Sequence, residues 1–201
     1  MKNVVILIVL GFLVFSCKGT KNTVTPDKVD ITENPSKKRR LPIEDAARFK
    51  SVEDLTNFYS DSNPENGKGM FEEATIEREY TILYKDTPDE ILFTWQDGKI
   101  YDVVVIGNGI WTSKAGIRVG MTYDDLAELN RAPLKVYGFG WDYGGAVDWN
   151  GGKFENSGLQ VFLTPEAENF PGKFYGDSII TPTESELKAL ALRVTAIVYM
   201  P

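Results

Sequence analysis

The stretch EILFTWQDGKIYDVVVI, residues 90–106, contains two short runs rich in Ile, Val, Phe and Tyr on either side of Asp97-Gly98. Runs of this composition favour β-strands, and Asp-Gly readily adopts the two positive φ angles of a tight hairpin turn. The stretch therefore predicts an antiparallel hairpin, with one strand over residues 90–95 and the other over residues 99–106.

Helix starts are signalled at three other places, each by a hydroxyl side chain three residues before an acidic one. The hydroxyl residues are Ser51, Thr122 and Thr183. In each case the acid lies three residues later, and apolar residues at helical spacing follow. In this arrangement the hydroxyl accepts a hydrogen bond from a backbone N–H of the first turn, and the acid stabilises the helix dipole. We predict that a short helix begins directly after each of the three residues.

Strand-like runs occupy the intervals between these helices. Besides the hairpin, they are residues 81–84, 134–141, 145–149, 159–163 and 194–200. Consecutive strands joined by short turns pair in an antiparallel manner, and helices then cover the apolar face of the sheet. The sequence thus predicts an α+β fold in which short helices pack on an antiparallel β-sheet. The order of helix and then meander occurs twice, so two helix-plus-meander repeats are one interpretation.

The N-terminus carries a targeting pattern: Lys2, an apolar run over residues 4–15, then Ser16 and the only cysteine, Cys17. The run is shorter than the ~20 apolar residues of a membrane-spanning helix. Its order resembles the signal of bacterial lipoproteins, which implies cleavage before Cys17 and lipidation of the thiol. We therefore expect a signal peptide over residues 1–16 and a lipid anchor to the membrane at Cys17. An ordinary cleaved secretory signal is the alternative.

Residues 17–40 are dominated by Thr, Asn, Lys, Asp and Pro. A stretch with so few apolar residues buries too little surface to offset its ordering entropy. This composition predicts a flexible tether between the lipidated cysteine and a single α+β domain over residues 41–201. The basic run at residues 37–40 either contacts an anionic membrane surface or is the solvated end of the linker.

The composition excludes several classes of chemistry. The chain has no histidine, and its one cysteine is assigned to lipid, so the usual general base, thiol nucleophile and zinc ligands are missing. The formal net charge of -7 becomes -8 once residues 1–16 are removed with Lys2, and this charge disfavours binding to nucleic acid. We expect no cofactor, no metal ion and no catalytic residue.

Two weaker patterns point to other chemistry. Asp61, Asn63, Glu65 and Glu72 fall at ligand positions of a calcium-binding loop, but Asn66 stands where that loop needs glycine. Pairs of adjacent acids also occur, but a glycoside hydrolase needs two carboxyl groups that face each other, and adjacent residues of a strand point in opposite directions. The patterns favour a polar loop over a metal site, and they single out no catalytic pair.

The stretch GIRVGMTYDDL, residues 116–126, places two glycines directly before a capped helix. This glycine-isoleucine and glycine-methionine opening resembles that of small envelope domains with BamE/SmpA-like and β-lactamase-inhibitor-like folds. A longer stretch, from Thr112 through Asn130 to GFGWDYGG at residues 138–145, resembles a family of uncharacterised bacterial lipoproteins. The resemblance implies an envelope lipoprotein, but it implies no activity and no role in outer-membrane protein assembly.

The best candidate for a partner-binding site is the stretch YGFGWDYGG, residues 137–145, together with a tryptophan just after it. Its candidate residues are Tyr137, Phe139, Trp141, Asp142, Tyr143 and Trp149. Large rings interleaved with glycines give stiff contact surfaces on a backbone that a partner can approach, as in protein recognition and sugar stacking. The alternative is that the rings alternate into the core while the glycines form a bulge or a wide loop.

Together these features predict a lipid-anchored cell-envelope protein that binds a protein or glycan partner without catalysis. Lys18 follows the lipidated cysteine, and the lack of an aspartate at that position favours the outer membrane of a Gram-negative bacterium. A carboxylate-dependent hydrolase of envelope polysaccharide and a purely structural spacer are the alternatives. Exposed rings favour binding, a cleft with two facing carboxyl groups favours the hydrolase, and full burial of the rings favours the spacer.

Overall fold

A computed structural model of the chain describes residues 41–201. The predicted signal peptide over residues 1–16, the lipidation site Cys17 and the tether up to residue 40 lie outside the described residues. Between residues 41 and 201, no helix has the length and apolarity needed to cross a membrane.

The described part of the chain contains four short α-helices, eight β-strands and two single-turn 3-10 helices. The α-helices are α1 (Ile43–Ala46), α2 (Val52–Phe58), α3 (Tyr123–Asn130) and α4 (Glu184–Leu190). The strands are β1 (Glu65–Phe71), β2 (Ile76–Leu83), β3 (Ile91–Gln96), β4 (Lys99–Val105), β5 (Lys135–Val136), β6 (Val147–Asp148), β7 (Leu159–Thr164) and β8 (Arg193–Tyr199). The 3-10 helices cover Ser60–Ser62 and Gly172–Phe174.

Six of the described strands form one antiparallel sheet in the order β1-β2-β3-β4-β8-β7. β5 and β6 form a separate antiparallel pair. The predicted α+β class is confirmed. The first helix-plus-meander segment contributes four neighbouring strands, whereas the second contributes only β7 to that sheet, because β8 follows the third predicted helix. The two segments therefore differ in their strand pairing.

Each predicted helix start is confirmed by a capping hydrogen bond. The hydroxyl of Ser51 accepts a hydrogen bond from the backbone N–H three residues on, at 3.0 Å, and that of Thr122 does the same at 3.1 Å. Thr183 and Glu186 form a full capping box at α4, because each side chain accepts from the backbone N–H of the other. Local sequence therefore determines where these three helices begin.

The hydrophobic core joins the sheet to the helices. Phe93 of β3, Val103 of β4 and Ile197 of β8 have no exposed surface. Leu55 of α2 and Leu126 of α3 belong to the same cluster and are also fully buried.

The strands predicted over residues 134–141 and 145–149 are much shorter in the structure. Only β5 and β6 remain there as regular strands. The chain turns at Gly140 and Gly145, which have φ angles of 79° and 76° that break an extended strand. Conversely, β1 forms in a stretch that the sequence analysis interprets as a polar loop.

Candidate binding surface

The stretch over residues 137–145, which we call the aromatic segment, is held by backbone hydrogen bonds on both of its sides. On one side, the backbone N–H of Tyr137 donates to the carbonyl of Ala146 at 3.0 Å. On the other side, Phe139 donates to the carbonyl of Phe174 at 2.8 Å and accepts from the N–H of Gly176 at 2.9 Å. A distant, downstream part of the chain is thereby placed beside the aromatic segment.

Two glycines allow this close approach. A Cβ atom on Gly138 would lie 2.5 Å from the carbonyl oxygen of Gly176, and one on Gly140 would lie 2.9 Å from Cδ1 of Tyr175. Both distances are shorter than ordinary nonbonded contacts of a Cβ atom. At Gly138 the neighbour is backbone, which cannot easily move, and at Gly140 the φ angle of 79° also favours glycine. The glycines of the segment therefore allow residues 174–176, which include Tyr175, to lie directly against it.

The first group consists of three rings of the predicted site. The ring centroid of Trp141 lies 6.2 Å from that of Tyr137 and 5.1 Å from that of Tyr143, and both contacts have the edge-to-face geometry that aromatic pairs favour. The indole N–H of Trp141 donates to the carbonyl of Gly138 at 2.8 Å. All three side chains are partly exposed, and Asp142 between them is exposed.

The second group consists of the buried Phe139 and two rings of the downstream stretch that pairs with the segment. Phe170 contacts Phe139, with 5.4 Å between ring centroids, and it stacks on Tyr175 at 4.7 Å with the ring planes 16° apart. Tyr175 is 56% exposed, and Ile179 from the same downstream stretch is 38% exposed. We call the exposed and partly exposed side chains of both groups, with the adjoining isoleucine, the aromatic surface: Tyr137, Trp141, Tyr143, Phe170, Tyr175 and Ile179.

The six residues predicted to bind a partner divide into two sets. Phe139 and Trp149 are 6% and 5% exposed and belong to the core, where the indole N–H of Trp149 donates to the carbonyl of Leu159 at 2.8 Å. The members that reach the surface are Tyr137, Trp141, Asp142 and Tyr143. Burial in the core, the alternative to partner binding, thus applies to two of the six residues.

Phe170, Tyr175 and Ile179 also belong to the aromatic surface but are not predicted from the sequence. The stretch FPGKFYG, residues 170–176, repeats the mixture of rings and glycines of the predicted segment, and that composition is the signal that could have found two of the three. Their meeting with the predicted segment depends on backbone pairing between distant parts of the chain, which no local pattern specifies.

The electrostatic surroundings of the aromatic surface are acidic. Residues 136–187 contain eight acidic and two basic residues. Both basic residues have partners, since the amine of Lys173 lies 2.6 Å from the Glu186 carboxylate and that of Lys153 lies 5.1 Å from the ring centroid of Phe154. Hydrogen bonds from Lys173 and from the α4 cap lower the pKa of Glu186 to about 2.

Tyr143 combines a partly exposed side chain with a buried hydroxyl. That hydroxyl has no hydrogen-bond partner among the described residues. Burial raises the pKa of Tyr143, and the nearby carboxylates of Glu73, Asp142 and Glu72 raise it further. Of these carboxylates, that of Glu72 is paired with Arg78, whereas Asp142 and Glu73 are exposed.

A separate group of polar side chains lies within the sheet around Asp102, which is 4% exposed. Thr94 donates a hydrogen bond to Asp102 at 2.5 Å, and burial raises the pKa of that carboxyl group. Arg78 forms an ion pair with Glu72 at 2.8 Å. Since Asp102 is closed to solvent and Glu72 is paired with Arg78, they do not form the open carboxylate pair that glycoside hydrolysis needs.

The residues of the calcium-loop pattern have other partners. Glu65 forms an ion pair with Lys85 at 2.6 Å, and Glu72 is held by Arg78 on the far side of the β1–β2 turn. Between residues 41 and 201, no group of three or more acidic side chains is arranged to hold a metal ion.

Neither a protein-family model nor a curated protein matches the sequence. Among solved structures, the uncharacterized protein YfeY from Escherichia coli is similar at a TM-score of 0.44 and 16% identity, over 72% of this chain and 87% of that one. An extracellular protein containing a SCP domain from Bacillus anthracis is similar at a TM-score of 0.41 and 12% identity, over 92% of this chain and 50% of that one. Similarity at this level carries no argument about function.

Proposed function

We propose that the chain is a lipid-anchored cell-envelope protein that binds a protein or glycan partner through the aromatic surface, without catalysis. The observation that carries the proposal is the stacked pair of Phe170 and Tyr175, which leaves Tyr175 56% exposed against Gly140, the residue that precedes the partly exposed Trp141. Exposed rings on a fixed backbone offer large contact areas at a small cost in side-chain entropy. Burial of these rings against a partner would recover hydrophobic free energy that the isolated domain forgoes.

The anchor belongs to the same proposal and rests on the N-terminal sequence. Residues 1–16 and Cys17 resemble a bacterial lipoprotein signal, and Lys18 favours the outer membrane of a Gram-negative bacterium. The replacement Cys17→Ala should abolish acyl labelling and release or mislocalise the protein. A variant that stays bound to the membrane, with no accumulation of unprocessed precursor, would contradict the anchor.

Chemical crosslinking in native membranes, followed by capture of the chain, tests the binding. The double variant Trp141→Ala with Tyr175→Ala removes one ring from each group, and it should reduce the crosslinked partner about tenfold or more, as for binding hot spots. Met70→Ala is the matched control, because Met70 is 55% exposed on β1, outside the aromatic surface.

Melting curves of the double variant and of the control establish that both remain folded. Equal capture by wild type, control and double variant would contradict binding through the aromatic surface. The absence of any crosslinked partner of the wild-type protein would favour the structural spacer.

A further inference from the structure

The charges around the aromatic surface indicate which class of partner it binds. This inference rests on the binding function proposed above. Within residues 41–201, 14 Lys and Arg stand against 26 Asp and Glu, a formal net charge of -12. Half of that excess lies in residues 136–187, which contain the whole aromatic surface, eight acidic and two basic residues. Three of the eight acids are themselves ion-paired, Glu166 with Arg193, Glu184 with Lys188 and Glu186 with Lys173. The other five, which include Asp142 and Asp177, form no ion pair among the described residues, so the excess negative charge of this part of the chain remains available to a partner.

Elsewhere in this domain, a cationic side chain is bound by an aromatic ring and a carboxylate together. The central guanidinium carbon of Arg78 lies 3.9 Å from the ring centroid of Tyr101, while one terminal nitrogen lies 2.8 Å from the Glu72 carboxylate. A cation in this position gains from the ring quadrupole and from the ion pair together. The aromatic surface offers both kinds of group, since Asp142 lies between two ring-bearing residues and Asp177 follows Tyr175 by two positions.

Other classes of partner fit these charges less well. Anionic lipid headgroups and phosphate-bearing glycans are repelled by the excess of carboxylates. A neutral glycan would use the rings but gain nothing from the charge. We infer that the aromatic surface binds a segment of a partner protein rich in Lys and Arg, whose cationic side chains lie over the rings and against the carboxylates of Asp142 and Asp177.

Trp141 supplies a spectroscopic probe for this contact. The chain has four tryptophans, all within the described residues, and Trp95, Trp111 and Trp149 are 3%, 2% and 5% exposed. Trp141 is partly exposed, so quenching of tryptophan fluorescence by acrylamide reports mainly on this residue. A ligand seated on the aromatic surface shields it from the quencher.

The test titrates the full-length protein in detergent with four ligands: an alternating Gly-Arg peptide, its Gly-Lys and Gly-Glu counterparts, and a neutral oligosaccharide of N-acetylglucosamine. Both cationic peptides are expected to shield Trp141, and the shielding is expected to weaken as salt is added. The Gly-Glu peptide and the oligosaccharide are expected to leave the quenching unchanged.

Two pairs of charge variants distinguish binding at Asp142 and Asp177 from attraction to the net negative charge of the whole protein. Asp142→Asn with Asp177→Asn removes two negative charges at nearly constant shape and should weaken binding of the cationic peptides about tenfold or more. Glu53→Gln with Glu128→Gln, at exposed positions of α2 and α3, changes the net charge equally and should weaken it less than about twofold.

Three results would contradict the inference that the partner is a cationic protein segment. Shielding of Trp141 by the oligosaccharide alone would do so while leaving the proposed binding function intact. Equal weakening by the two pairs of charge variants would show that the attraction is not local. Replacement of the basic run at residues 37–40 by Gln tests the chain's own cations, and about tenfold tighter peptide binding would identify that run as the occupant. Failure of the proposed function is measured separately, by undiminished membrane capture with Trp141→Ala and Tyr175→Ala.

Discussion

The guanidinium group of Arg78 lies over the ring of Tyr101, with its central carbon 3.9 Å from the ring centroid. Arg78 belongs to β2 and Tyr101 to β4, so the contact spans the strand between them. Glu72, at the turn between β1 and β2, accepts a hydrogen bond from the same guanidinium at 2.8 Å. The contact therefore holds in place the turn that also carries Glu73, one of the carboxylates acting on Tyr143.

Removal of the negative charge from Glu72 should destabilise the domain. The side chain of Arg78 is only 5% exposed, so Glu72→Gln removes the direct ion-pair partner of a buried cation and leaves it only the weaker attraction of Asp102. We expect a loss of about 1–3 kcal/mol, below the full cost of a broken buried pair because Glu72 itself is 20% exposed. Urea unfolding measures the loss. Glu77→Gln, at an exposed position of β2, should change the unfolding free energy by less than about 0.5 kcal/mol, and equal losses in both variants would contradict the role of the pair.

Asp102 should lower the stability of the domain as the pH rises. Burial raises the pKa of its carboxyl group in the folded state above the ordinary value of 3.8, so the folded protein holds that proton more tightly than the unfolded chain. The stabilisation from this proton is complete below pH 3.8 and is lost as the pH rises through the raised pKa. Asp102→Asn is neutral at every pH and can still accept the hydrogen bond from Thr94.

The stability of the wild-type protein should therefore fall, relative to that of Asp102→Asn, from about pH 4 upwards. Unfolding free energies of both proteins over a series of pH values measure the difference. A difference that stays constant with pH, or that grows in favour of the wild type, would mean that Arg78 compensates the charge of Asp102 more fully than burial penalises it.

Thr122 should determine where α3 begins. Its hydroxyl accepts the hydrogen bond from the backbone N–H of Asp125 at 3.1 Å, so Thr122→Ala leaves that donor without its partner. We expect a loss of about 0.5–2 kcal/mol, seen as a lower melting midpoint. Thr122→Ser keeps the hydroxyl and should retain most of the stability. An unchanged midpoint in the alanine variant would mean that the cap adds nothing to the helix.

The features that the sequence predicts correctly depend on neighbouring residues. The hydroxyl of Ser51 and the acid three residues later make their own contact at the start of α2, whatever packs against the helix. Asp97 and Gly98 have φ angles of 53° and 72°, so the predicted hairpin turn forms from two residues that favour those angles. Helix starts and tight turns can therefore be predicted from the local sequence without knowledge of the tertiary fold.

The features that the sequence does not predict depend on distant residues. β1 contains Asn66-Gly67, which is typical of a turn, but a Cβ atom on Gly67 would lie 2.6 Å from the hydroxyl oxygen of Tyr80 on the neighbouring strand. A larger residue there would force the ring of Tyr80 to move, so the glycine contributes to packing between strands and not to the turn that the local pattern predicts. In the same way, the aromatic surface is completed by Tyr175, whose position beside Gly140 follows from pairing across the chain.

The hydroxyl of Tyr143 should be expendable for stability, because it is buried and no described residue bonds it. Tyr143→Phe keeps the ring and removes a polar group whose burial is unfavourable, so the unfolding free energy should stay unchanged or rise by up to about 1 kcal/mol. Tyr123→Phe is the matched control, since the hydroxyl of Tyr123 donates to the carbonyl of Leu134 at 3.3 Å and its loss should cost about 0.5–1.5 kcal/mol. Urea unfolding of both variants compares the two. A loss in Tyr143→Phe as large as that in the control would mean that a carboxylate such as Glu73 bonds this hydroxyl in solution, and that carboxylate would then be less available to a cationic partner.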